Sequence, residues 1–220
     1  FPATQQFSFI GDFNNGIIQP AIVNNSGGAY NDWNFVGNPY PSAIDTNIFF
    51  TTNSGIVDTI YLWSQATDPD SNTQGNEVLN FSQADYAVIS ASGVNTAGGS
   101  GIIPNDFVPS GQGFFIEALS GSNITFNNAM RVTGNNDQFF RNSNSNQKEV
   151  LWVNLTSDNG VFNQLAVAYL QNSSDGFDGS FYDVKRNKSI STFSKIYSFI
   201  DGNDDEFVIQ GRSLNSLNSD

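Results

Sequence analysis

The chain has 220 residues, of which 38% are hydrophobic and 14% aromatic, with a formal net charge of −13 and neither cysteine nor histidine. This is the composition of a folded, aromatic-rich domain, and it excludes disulfides, thiolate metal sites, a Ser-His-Asp triad, a Cys-His pair and His-ligated zinc. Residues 1–130 carry ten acids and no base, and all eight Lys and Arg residues lie from Arg131 onward, a distribution that repels nucleic-acid phosphates and anionic membrane surfaces.

The first predicted element is a hairpin of Gln6–Ile10 with Ile17–Val23, turned at Asn15-Gly16, because Asn-Gly readily takes the positive φ angles of a two-residue turn. Trp33–Val36 follows, with Trp33 and Phe35 on one side of the strand. Either residue can stack on a sugar, but the neighbours of Trp33 assign it to the core. Asn38-Pro-Tyr-Pro41 then forms a stiff turn, with Tyr40-Pro41 a candidate cis bond. It leads into one short helix over Ala43–Phe50, capped by Ser42 with Asp45 as the acidic partner of a capping box. The same turn makes Tyr40 a candidate ligand contact.

In the strand Thr59–Trp63, Ile60 and Leu62 supply an inward face and leave Tyr61 and Trp63 outward, the leading candidates for a stacking platform. Asp68, Asp70 and Asn72 place oxygens at alternate positions, a spacing that can wrap a hard cation such as calcium. Thr73 and Leu79 stand where an EF-hand loop needs Gly and Glu, and a plain Asx turn explains the same residues. Tyr86–Ser90, Gly113–Ala118 and Ile124–Asn127 are further strands, with Gly111 and Gly113 permitting a tight approach before Phe114-Phe115.

The polar run Asn142–Gln147 marks either an exposed loop or an internal boundary near 142–148, within what otherwise reads as one module over 1–220. Beyond it Leu151, Val153 and Leu155 alternate with Trp152, Asn154 and Thr156, so Trp152 opposes the apolar face and is a candidate exposed aromatic. Asp158-Asn159-Gly160 turns the chain into a returning strand at Gln164–Leu170. Lys185 and Arg186 begin the one concentrated basic feature, suited either to sulfate groups on a glycan or to keeping a strand edge soluble. Phe193–Ile200 and Glu206–Gln210 complete the strands, and Asp201, Asn203 and Asp205 repeat the alternate oxygen spacing. The predicted class is all-β: an antiparallel β-sandwich or jelly-roll-like fold with at most one short helix.

Several strings carry a family resemblance: Trp33-Asn-Phe-Val-Gly-Asn-Pro-Tyr-Pro-Ser-Ala-Ile-Asp45, Pro109-Ser-Gly-Gln-Gly-Phe-Phe-Ile-Glu-Ala118, Phe126–Arg131, Asp137–Arg141, Leu151–Leu155, Gly176–Gly179 and Phe207–Arg212. Together they resemble the β-rich modules of large proteins exported by the type nine secretion system of Bacteroidetes. The resemblance implies an extracellular or cell-surface module of an adhesin-like protein or a polysaccharide-degrading enzyme, joined to other domains and without a catalytic centre of its own. Similar sequences run on into further β-structure, so the chain is expected to be an excised piece.

No apolar run approaches the roughly 20 residues that span a bilayer, so membrane insertion is not expected. Aromatic side chains with abundant Asn, Ser and Thr suit the C–H faces and hydroxyls of sugars, which makes polysaccharide the expected partner. The first functional reading is therefore a non-catalytic carbohydrate-binding module, with no required cofactor and calcium as an optional ligand. A structural spacer or protein-contact module of an adhesin is the alternative. A carboxylate-only glycan hydrolase or lyase is the third, limited to Asp residues and the glutamates Glu77, Glu117, Glu149 and Glu206.

Overall fold

A computed structural model describes residues 10–25, 32–64, 68–72, 79–82, 85–136, 149–156, 162–186 and 195–217. Its elements in chain order are β1 (Trp33–Gly37), β2 (Ile44–Asp45), α1 (Thr46–Thr52), β3 (Thr59–Trp63), β4 (Tyr86–Ser90), β5 (Asn95–Thr96), β6 (Phe107–Val108), β7 (Gly113–Glu117), β8 (Glu149–Thr156), β9 (Phe162–Leu170), β10 (Val184–Lys185), β11 (Ser198–Ile200) and β12 (Asn203–Ser213). The fold is all-β and sandwich-like, as composition and turn spacing predict.

The first sheet, ordered β1-β7-β3-β4-β5, is antiparallel throughout. One face, formed by Val36, Phe114, Ile116, Ile60, Leu62, Ala87 and Ile89, packs under Phe49 and Phe50 of α1 together with Tyr40, Ile44, Val108, Ile124, Phe126 and Met130. The opposite face meets the second sheet: Tyr61, Val88 and Val94 pack against Ala166, Ala168, Val184 and Ile209. The first sheet is thus the middle of three layers. Four of the five residues of β3 are buried, so the one-face-in, one-face-out pattern expected of a half-solvated strand does not apply to it.

The second sheet is ordered β10-β12-β9-β8, with β11 also on β12. β8 and β9 run antiparallel from Glu149 opposite Tyr169 to Thr156 opposite Phe162. This is the predicted hairpin, although its turn at 158–160 lies outside the described residues. β12 pairs with β9 in parallel, from Ile209 opposite Ala166 to Ser213 opposite Leu170. Polar contacts join the layers. The Trp152 Nε1–H donates to the Asn95 carbonyl at 3.3 Å, the Ala97 N–H donates to Gln164 Oε1 at 2.9 Å, and the Ser180 hydroxyl donates to Asp58.

Several local expectations change. Ile17–Val23 makes no described pair with Gln6–Ile10; Ile18 instead bridges Phe126 and Ala21 bridges Asn123. Only Ile10 of the expected partner strand is described. The helix starts at Thr46 rather than Ala43, because Asp45 and not Ser42 is its N-cap: the Asp45 carboxylate accepts from the N–H groups of Asn47 at 2.8 Å and Ile48 at 3.4 Å. No cis peptide bond occurs among the described residues, Tyr40-Pro41 included. The turn is held by Asn38, whose amide donates to the carbonyls of Ser42, Val108 and Pro109 while its oxygen accepts from Tyr40 N–H. Of Phe193–Ile200 only Ser198–Ile200 is a described strand, 193–194 lying outside the described residues.

The two faces of β8 do not separate as expected: Leu151 and Trp152 are both exposed, while Val153 and Leu155 are half-buried. Trp152 and Val150 oppose the small residues Ala166 and Ala168, which leave room for side chains between the sheets, whereas Leu151 points outward and is 58% exposed. Leu-Val-Leu alternation reads as an inward face from hydrophobicity alone, whereas the register sets Trp152 on the side of the first sheet, which its indole N–H reaches at Asn95.

Candidate functional site

Ladder register places three rows of residues on the inter-sheet face of the first sheet. Trp33, Glu117 and Thr59 form the first row; Phe35, Phe115, Tyr61 and Val88 the second; Gly37, Gly113, Trp63 and Tyr86 the third. Adjacent rows are two residues apart along each strand, about 7 Å. The second sheet covers Tyr61 and Val88 but leaves the β1–β7 corner and the Trp63 end open. Phe35 is 68% exposed and Phe81, beyond Trp63, is 43% exposed, while Trp33, Trp63, Tyr86 and Phe115 are each partly exposed.

The rings form one continuous surface. Phe35 lies 4.9 Å from Phe115, Phe115 5.8 Å from Tyr86, Tyr86 4.8 Å from Trp63 and Trp63 5.6 Å from Phe81, centroid to centroid, and Trp33 touches both Tyr61 and Phe115. Tilted and edge-on contacts of this kind are the favoured geometry between aromatic quadrupoles, so each ring holds the next in place. Gly113 is essential to the corner: a Cβ there would lie 2.4 Å from Phe35 Cζ, so the ring rests directly on glycine backbone. Burial raises the Tyr86 phenol pKa, so this hydroxyl remains a neutral donor and acceptor at ordinary pH.

At the first-row end, burial raises the Glu117 carboxyl pKa, the nearby Lys185 charge opposes this, and Asp58, Asp32 and Asp205 add to the rise. Asp58 is also raised by burial, offset in part by hydrogen bonds from Ser180 and Thr59. The acids therefore surround the ring surface at one end, where the two sheets meet.

The residues singled out from sequence divide between this surface and other places. Trp63 belongs to it. Tyr61 is 2% exposed, which corrects its outward assignment: the second sheet covers that part of the face, and the Tyr61 hydroxyl is directed to the Lys185 carbonyl at 3.5 Å. Tyr40 is likewise 2% exposed, its hydroxyl donating to the Gly16 carbonyl at 2.5 Å beneath the Arg131 guanidinium, so the stiff turn buries it rather than presenting it. Trp152 is 40% exposed but anchored by its indole N–H to the first sheet. Lys185 is paired with Asp205 at 2.7 Å, and Arg186 with Glu206 at 2.7 Å.

The proposed cation donors do not converge. Asp68 and Asp70 are exposed, and Asp70 Oδ1 accepts from the backbone and side-chain nitrogens of Asn72 at 2.9 Å, as an Asx turn does. Asn203 Oδ1 accepts from Asp205 N–H within β12, Asp205 is bound to Lys185, and Asp201 is exposed. Among the described residues no three His, Cys, Asp or Glu side chains gather around a common point. Sequence reasoning missed Phe115, Tyr86 and Phe81 and named Glu117 only among the four glutamates, since it takes strand order and register, and for Phe81 a loop, to bring them beside Phe35 and Trp63.

No curated protein and no solved structure matches the chain. A family model described as Domain of unknown function (DUF8693) matches residues 1–220, and the chain belongs to that family.

Proposed function

We propose that this member of the DUF8693 family is a non-catalytic polysaccharide-binding module, working outside the cell or at its surface and attached to other domains. The observation that carries the reading is the run Phe35, Phe115, Tyr86 and Trp63, each ring touching the next on one sheet face, extended by Phe81 from the loop beside Trp63 and exposed at Phe35 and Phe81. Sugar rings present C–H surfaces that lie against aromatic faces, and a row of such faces suits an extended chain better than a single sugar. Each contact is weak, so several modules or an attached domain raise the effective concentration at the glycan.

Affinity electrophoresis of the chain in gels containing neutral glucans, mannans or xylans tests the reading. The wild type is expected to be retarded by at least one of them, with Trp63→Ala and Phe35→Ala each weakening the interaction about tenfold, equivalent to about 1.4 kcal/mol. Retardation that persists unchanged in both variants would remove the ring surface from the function. A second reading, a protein-contact module, is favoured by β8. This eight-residue strand at the end of the second sheet carries neither Lys nor Pro and holds Leu151 in solvent. Absence of retardation on every glycan would move the conclusion to it.

A further inference from the structure

We propose that the aromatic face accepts uncharged polysaccharide and rejects sulfated or uronate-bearing chains, with Glu117 setting this selectivity; the proposal rests on the glycan-binding reading above. Charge on the first sheet has one sign, because residues 1–130 contain no base. Glu117 is opposite Trp33 in the β1–β7 ladder and two residues from Phe115, hence at the edge of the ring surface. Among the described residues no hydrogen bond or ion pair reaches its carboxylate; Lys185 acts on it as an opposite charge, though it is itself paired with Asp205, and Asp58, Asp32 and Asp205 act on it as like charges.

Among the described residues, the bases of the second sheet are already engaged. Lys185 holds Asp205 at 2.7 Å, Arg186 and Lys195 each hold Glu206 at 2.7 Å, and Arg212 lies 3.3 Å from Asp175. Arg131 lies on the other side of the first sheet, over Tyr40. A sulfate or carboxylate placed on the rings would therefore meet an acid at close range, and recruiting a base would expose its present partner. A neutral chain meets no such cost. Its hydroxyls donate to the Glu117 carboxylate, an acceptor-only group with vacant lone pairs, while its C–H faces lie on Phe115 and Trp33.

The test uses the full chain, a neutral polysaccharide that retards it, and the chemically sulfated derivative of that same polymer. The sulfated form is expected to bind at least about tenfold more weakly. Glu117→Gln should weaken binding of the neutral parent severalfold, since it removes the charged acceptor, while narrowing the gap between the two polymers. Raising the salt concentration should narrow the gap in the wild type as well, since the discrimination is electrostatic; this arm does not depend on how Glu117→Gln folds. Equal or tighter binding of the sulfated polymer, or a gap insensitive to both Glu117→Gln and salt, would overturn the selectivity while leaving glycan binding intact. Binding of no polymer at all would overturn the glycan-binding reading together with this one.

Discussion

Two glycines and two tyrosines show how far single residues could be read. Gly111 and Gly113 stand out in sequence as permitting a tight approach, and at Gly113 the approaching group is the ring of Phe35. Gly113→Ala is expected to swing that ring outward. Because Phe35 is 68% exposed, the stability change should stay within about 1 kcal/mol, whereas affinity for a neutral glycan should fall severalfold. Denaturant titration beside affinity electrophoresis separates the two effects, and unchanged glycan affinity would show that Phe35 is not a contact. Tyr61 and Tyr40 were less legible. Their neighbours suggest solvent, yet the groups that cover them, the second sheet and the 16–18 segment, lie far away in sequence, and no local pattern encodes such cover.

Among elements, the strands with their own turn chemistry or clear alternation were the readable ones: β3, β4, β7, β8 and β9 fall close to where hydrophobic period and turn residues place them. What alternation did not show was which face of each strand turns inward. In β8 the deciding fact is the register that sets Trp152 on the side of the first sheet, and in β3 it is burial of both faces. The helix was visible but began late. Asp45 has both a carboxylate and the extended backbone, φ −80° and ψ 119°, that an N-cap requires, and these overrule a capping box inferred from Ser42. At the other end Asn53 closes the helix from its buried position. Its amide donates to the Phe49 and Thr125 carbonyls and its oxygen accepts from Thr125 N–H, linking α1 to the loop that covers the first core. The exposed ring surface was half legible, because Trp33, Phe35 and Trp63 are noticeable in sequence, but strand order joins them to Phe115 and Tyr86.

For the molecule as a whole, burial raises the carboxyl pKa of Asp58, Glu117 and Asp183, so the folded state holds those protons more tightly than the unfolded chain does. Their contribution to stability is complete below the ordinary carboxylate pKa of about 4 and is lost as pH rises through the raised values. Asp70, held low by the Asn72 N–H, and Asp175, held low by Ser216, act in the opposite sense and lose stability as pH falls through their lowered values. The melting temperature is therefore expected to rise as pH falls from neutral toward the ordinary carboxylate range and to fall again below about pH 4. Scans in 0.5 M salt suppress the general repulsion of a −13 chain, and a melting temperature that does not rise as pH falls from neutral would show that these buried acids take up no extra proton on folding. The parallel pairing of β12 with β9 has a consequence in time rather than in space. An antiparallel neighbour can zip up from a short turn, but β12 reaches β9 only after the chain between 170 and 203 has been laid across, and the entropy of closing that loop is lost before any parallel contact forms. β9 must therefore wait with its inner edge open, and pulse-labelled hydrogen exchange during refolding should find amides of β3 and β4 protected before those of 209–213, the part of β12 paired with β9, an order that simultaneous protection would refute.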